Sequence, residues 1–145
     1  MIRRYQPADK NQLIGLLRLN TPRYFHPAEE GDFISYLNHQ AEHYFVVEEN
    51  GAVIGCGGIN YFEEQGEARL SWDIVHPGFQ GKGIGKKLTL HRIQEIKKNA
   101  AVKLVVVRTT QLTYQFYEKM GFGLEKIEKD FWAAGFDLYQ MGMEV

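Results

Sequence analysis

Apolar positions along the chain change period several times, and each change marks an element. Ile2–Tyr5 reads as a short strand. Asp9 is placed to cap a helix whose apolar positions include Leu13, Leu16 and Leu17, spaced at three and four residues. Thr21–Pro27 is a turn-rich interruption, and Glu29–Gln40 is a second helix with Phe33, Tyr36 and Leu37 on one face. Tyr44–Glu48, Val53–Phe62 and Ala68–Val75 form a meander of three strands. Its first turn, Glu49-Asn50-Gly51, carries the Asn-Gly pair suited to positive φ. Strict alternation in the third strand puts Leu70, Trp72 and Ile74 on one face and Ser71, Asp73 and Val75 on the other. A basic helix over Ile84–Lys98 follows, then a β-branched strand, Leu104–Thr109, of the fully buried kind. Gln111–Met120 is helical and is stopped by Gly121; Phe122–Glu128 and Phe136–Glu144 are the last two strands. The order β-α-α-β-β-β-α-β-α-β-β predicts an α/β sheet, antiparallel over its early strands, with helices on both faces.

Composition narrows the functional classes. The 145 residues suit a single domain, 1–145, without repeats or linkers. Seventeen basic and eighteen acidic residues give a net charge of −1, so nothing in the overall charge argues for nucleic acid or an anionic membrane. No apolar run approaches a membrane span, and Met1–Tyr5 lacks the apolar core of a signal peptide, which makes a cytoplasmic protein the expectation. The lone Cys56 excludes an intrachain disulfide and, in an apolar run, reads as a buried small residue.

The chemistry concentrates in Gln80-Gly81-Lys82-Gly83-Ile84-Gly85, which links the third meander strand to the basic helix. Glycines let a backbone approach a ligand closely. The first amides of a helix have no intrahelical acceptor and sit at the positive end of its dipole. Together they predict a phosphate cradle. The two common nucleotide motifs fail on a required residue. Gly78 and Gly83 have P-loop spacing, but Ile84 stands where Lys-Ser/Thr is needed. The dinucleotide spacing ends on Lys86 or Leu88 instead of glycine. Lys82, Lys86, Lys87, His91, Arg92, Lys97 and Lys98 read as a solvated helix face from which one or two residues touch phosphate.

Gln80, Gly83 and Gly85 instead resemble motif A of the GNAT acetyltransferase superfamily, Gln/Arg-x-x-Gly-x-Gly/Ala, preceded by the strand end Val75-His76-Pro77. Phe116–Phe122 resembles the family's FYEKxGF segment about thirty residues downstream. The resemblance implies a mixed, mostly antiparallel sheet of about seven strands with helices on both faces, whose fourth and fifth strands splay into a V holding acetyl-CoA. It implies that Gln80, Gly81, Lys82, Gly83, Ile84, Gly85 and Lys86 wrap the pyrophosphate. Backbone groups near Ile74 and Val75 would bind the pantetheine arm and polarise the acyl oxygen. Thr110 and Thr113 stand where many relatives carry Asn and Ala, and Tyr114 packs either on the pantetheine arm or in the core.

By the same resemblance Tyr117 is the general acid for the departing thiolate. With a phenol pKa of about 10 against a thiol near 8.5, full proton transfer is uphill by roughly 2 kcal/mol, so donation is partial or coupled to bond breaking. Asp73, odd in a central strand, is either the base for an amine acceptor or the partner of a basic residue. Glu67, Glu63 and Glu64 are the fallback bases. Tyr24, Phe25, His26, Trp132 and Gly135 would wall the acceptor site. Asp130-Phe131-Trp132 with Asp137-Leu138-Tyr139 matches a C-terminal pattern of some small relatives, and its aromatics could equally form a homodimer interface. The expected activity is acetyl transfer to a primary amine of a small molecule, amino acid or peptide. The competing readings are transfer of another acyl group and a non-catalytic acyl-CoA sensor; a nucleotide-binding regulator is disfavoured.

Overall fold

The computed structural model describes residues 1–145. Seven strands form one sheet in the order β1-β2-β3-β4-β5-β7-β6. They are β1 (Ile2–Arg4), β2 (Tyr44–Glu49), β3 (Ala52–Phe62), β4 (Glu67–Val75), β5 (Leu104–Thr109), β6 (Gly123–Ala133) and β7 (Phe136–Glu144). All neighbours pair antiparallel except β4 and β5. The helices are α1 (Lys10–Leu19), α2 (Glu30–His39), α3 (Ile84–Lys97) and α4 (Tyr114–Lys119). This is the mixed α/β sheet that the resemblance implies.

Each face of the sheet has its own core. Leu13, Leu16 and Leu17 of α1 and Phe33, Tyr36 and Leu37 of α2 pack with Tyr44, Val46, Val53, Cys56 and Ile74. Leu88, Ile93 and Ile96 of α3 and Tyr117 of α4 pack with Phe45, Ile59, Ala68, Leu70, Val105 and Val107. Burying each large apolar side chain contributes about 1.5–3 kcal/mol, so the spacing read along α1 and α2 is what seats them.

Several local expectations are corrected. Asp9 does not cap α1 with its side chain. It accepts from the Gln6 amide at 2.8 Å and takes both Nη atoms of Arg3 at 2.9 Å, a two-point ion pair that outcompetes a cap. α4 begins at Tyr114 instead of Gln111, because the carbonyl of Thr110 accepts from the amides of Thr113 and Tyr114 in a preceding turn. β6 runs on to Ala133, past an irregularity at which Asp130 has φ 54°. The Asn50-Gly51 turn is as expected, with both φ values positive.

The largest correction lies in β4. Cys56 pairs with Ile74 and Gly58 with Ser71, so Gly57 faces two residues, Trp72 and Asp73. This is a β-bulge, and Trp72 has φ 51°. The extra residue inverts the alternation beyond it. Trp72 and Ile74 pack with α1 and α2, while Leu70 packs with α3 and α4. Asp73 therefore reaches Arg92 of α3 and shares the Leu70 face, opposite to the strict-alternation expectation. Beyond Leu70 and Val107 the parallel β4–β5 ladder stops, and the two strands part.

Candidate active site

The split between β4 and β5 is bordered at one end by the glycine loop. A 3-10 turn, Pro77–Phe79, leads into Gln80, and Gly81 and Gly83 take φ of 78° and 83°. Left-handed φ at both positions favours glycine. The backbone amides from Gln80 to Lys86 donate to no group within the chain; the ladder of α3 begins with the Lys87 amide donating to the Gly83 carbonyl at 3.0 Å. A run of unpaired amides converging on a helix N-terminus suits an anionic phosphate. The Gln80 side chain does something else. Its amide nitrogen donates to Asn20 Oδ1 (3.1 Å) and the Val75 carbonyl (3.2 Å). Asn20, a buried polar residue, donates to the same carbonyl at 3.1 Å. The side chain thus ties the loop to α1 and to the end of β4. Lys82 and Lys86 are exposed, with Lys82 Nζ over the Phe79 ring at 5.2 Å. An added Cβ on Gly85 would lie 3.4 Å from the Phe116 ring, an ordinary contact distance.

Mid-split, Asp73 joins Arg92 and Tyr117. Arg92 is wholly buried and forks onto both Asp73 oxygens, Nη1 to Oδ1 at 2.6 Å and Nη2 to Oδ2 at 2.8 Å. Its Nη1 also donates to the Gly58 carbonyl at 3.1 Å. The Tyr117 O–H donates to Asp73 Oδ2 in a short hydrogen bond. Gly57 makes room: a Cβ there would sit 2.9 Å from Arg92 Nη1 and Asp73 Oδ1. Burial and then the Asp73 charge push the Tyr117 phenol well above its usual range. Burial alone would lower the Arg92 pKa, but the Asp73 charge and hydrogen bonds outweigh it and the net shift is upward. The Asp73 side chain is 20% exposed, whereas that of Arg92 is wholly enclosed.

Arg92 is buried and does not belong to the solvated basic face that the sequence predicts. Its spacing from Leu88 and Ile96, four residues either way, was the available signal. Glu67 pairs with Arg69 at the opposite end of β4 from the loop, and Glu63 accepts from Asn99; neither joins the cluster. Tyr114 stacks near Tyr139 of β7 (centroids 4.6 Å apart), partly buried against the α3 core. The Thr110 hydroxyl accepts from the Leu112 amide at 3.2 Å and serves the turn before α4. Cys56 is buried beside Tyr44, and burial pushes its thiol up to about 12, which makes it inert.

Across the sheet, Phe25 stacks on Trp72 (6.1 Å) and His26 meets Phe136 edge-on (6.1 Å). His26 Nδ1 accepts from the Ala28 amide, so its ring caps its own turn. Trp132 donates to the Thr109 carbonyl at 3.2 Å. Nothing in the sequence marks Glu29 beyond the start of the predicted second helix. It is partly buried in the α1–α2 connection, bonds the His26 amide, and its carboxyl is pushed up by burial.

A glycine loop at a helix start beside two parting strands is the arrangement expected of an acyl-CoA-dependent acyltransferase from the motif resemblance. The profile of the acetyltransferase (GNAT) family matches residues 11–122, and the chain belongs to that family. Among curated relatives, an amino-acid acetyltransferase of Mannheimia succiniciproducens is 28% identical over 108 residues, covering 71% of this chain and 24% of the relative. The chain spans about a quarter of the length of the curated relatives it matches. A GNAT-family protein from Desulfovibrio desulfuricans superposes with a TM-score of 0.79 at 25% identity, over 99% of this chain and 98% of that one. N-acetylglutamate synthase from Neisseria gonorrhoeae, solved with coenzyme A and N-acetyl-glutamate, gives 0.78 at 18% identity, over 99% of this chain and 34% of that one. At that identity the likeness is one of fold.

Proposed function

We propose that the protein transfers an acetyl group from acetyl-CoA to a primary amine of a small molecule, amino acid or peptide. The observation that carries this reading is the run of unpaired amides from Gln80 to Lys86, opening on the split between β4 and β5. Those amides would hold the pyrophosphate, with Lys82 and Lys86 adding charge at its rim. The edge of β4 near Ile74 and Val75 lacks a strand partner on the β5 side and would bind the pantetheine arm. Thr110 and Tyr114 would border it from the start of α4. The coenzyme A of the Neisseria relative supports the choice of cofactor. When bound, acetyl-CoA supplies an activated acyl carbon and a thiolate leaving group.

Tyr117 is the proposed general acid. Its proton points at Asp73, so acid catalysis would require the O–H to turn from Asp73 toward the thiolate. The raised phenol pKa keeps that proton in place at neutral pH and makes complete transfer costlier than the 2 kcal/mol expected of an ordinary tyrosine, so donation stays partial. Asp73 enters this proposal as the group that orients Tyr117. Both of its oxygens are already engaged, Oδ1 by Arg92 and Oδ2 by Arg92 and Tyr117.

Calorimetric titration with acetyl-CoA, ATP and NAD tests the reading. Saturable binding of acetyl-CoA alone, followed by amine-dependent thiol release, is expected. Binding without release for any amine would favour the sensor reading, and no binding would remove the proposal.

A further inference from the structure

We infer that Arg108 is the anchor for a carboxylate on the amine acceptor, which makes the acceptor an amino acid or another amine bearing an acid group. The inference rests on the acetyl-transfer reading and names the substrate class of the same site.

Arg108 follows Val107, the last β5 residue paired with β4, so it stands where the strands part. Val105 and Val107 enter the α3 core, and alternation turns Arg108 to the other face, where Trp72 and Phe25 pack. Its guanidinium lies 5.0 Å from the Phe131 ring centroid and 5.8 Å from that of Trp132. Two ring faces hold the planar cation and set its orientation.

No acceptor in the protein satisfies it. Nε of Arg108 is the one buried side-chain polar atom without a hydrogen-bond partner. The ion pairs engage Arg3, Arg18, Arg69 and Arg92, but not Arg108. The carboxylates of the adjoining hairpin serve its backbone: Asp130 accepts from the Gly135 amide and Asp137 from the Asp130 amide. Buried polar atoms are nearly always paired, and an orphaned one calls for an explanation. A guanidinium fork matches the two oxygens of a carboxylate. Phosphate is the other anion a guanidinium binds, but the cofactor's phosphates have their cradle at the start of α3, against the opposite face.

The test measures the KM of the full-length chain for L-amino acids as free acids and as carboxamides, at saturating acetyl-CoA. Free acids are expected to show a KM about tenfold to a hundredfold lower, the range for a hydrogen bond to a charged group. Arg108→Met should abolish that preference, Arg108→Lys should keep part of it, and both should bind acetyl-CoA as the wild type does. Equal KM values in the wild type, or a preference that survives in Arg108→Met, would overturn the anchor. Fluorescence of Trp132, beside the guanidinium, provides a readout independent of turnover. Titrations use free acids, carboxamides and inorganic phosphate. If no amine is acetylated, an acid-specific change lost in Arg108→Met sustains the anchor while the transfer reading fails. A response to phosphate equal to that for free acids, or no acid-specific response, overturns it.

Discussion

The two faces of the split carry one arginine each, and their surroundings differ completely. Arg92, on the α3 side, is enclosed: a carboxylate takes its fork, and the Gly58 carbonyl accepts a further hydrogen bond. Arg108, on the α1–α2 side, lies against the rings of Phe131 and Trp132 with its Nε orphaned. The α3 side is internally complete, with its ion pair closed and only backbone amides left open. The α1–α2 side leaves a side chain open. A fold that serves many acceptors can keep the first arrangement and vary the second.

The largest expected effect comes from the completed side. Gly83→Asp forces a β-carbon onto a φ of 83° and sets an anion among the amides, and calorimetry should detect no saturable acetyl-CoA binding. Tyr117→Phe should bind acetyl-CoA normally but lower kcat about 10²–10⁴-fold if the phenol is the acid; a wild-type rate would remove that assignment. Arg92→Met leaves Asp73 without its buried partner and should cost about 3–5 kcal/mol in urea denaturation, whereas Arg108→Met, which breaks no ion pair, should leave the midpoint nearly in place. Equal losses would erase the contrast between the two arginines. The smallest effect is a pH dependence. The folded Tyr117 phenol titrates above its unfolded value, so its contribution is whole below about pH 10 and declines above it, where the unfolded chain gives up a proton that the fold retains. Wild type should therefore lose stability relative to Tyr117→Phe in alkaline denaturation curves above that pH.

What the sequence disclosed follows the same division. The loop was legible because its requirement is local: glycines at Gly81 and Gly83 answer to their own φ, and a helix start answers to the residues beside it. The face of Asp73 was not. A single bulged residue reversed the parity of β4, and the room for Asp73 comes from Gly57 on the neighbouring strand. Arg92 was half legible, since the apolar period of α3 runs through it, but a cation within a basic run outweighed that period. Arg108 gave no local sign at all. Its surroundings come from Phe131 and Trp132, more than twenty residues away in sequence and brought near by the β6–β7 hairpin.

The short β4–β5 ladder has a consequence for how the chain assembles. Every antiparallel pairing closes within Ile2–Val75 or within Leu104–Glu144, and only the ladder from Glu67–Leu70 to Leu104–Val107 joins the two stretches. Pairings between nearby segments cost less loop entropy than distant ones, so each half-sheet can nucleate on its own, with the parallel seam closing last beneath α3. Pulsed hydrogen exchange during refolding should then show two early-protected blocks and a late seam. The crevice in which the chemistry is proposed is thus the place where two separately organised pieces of chain were left incompletely zipped.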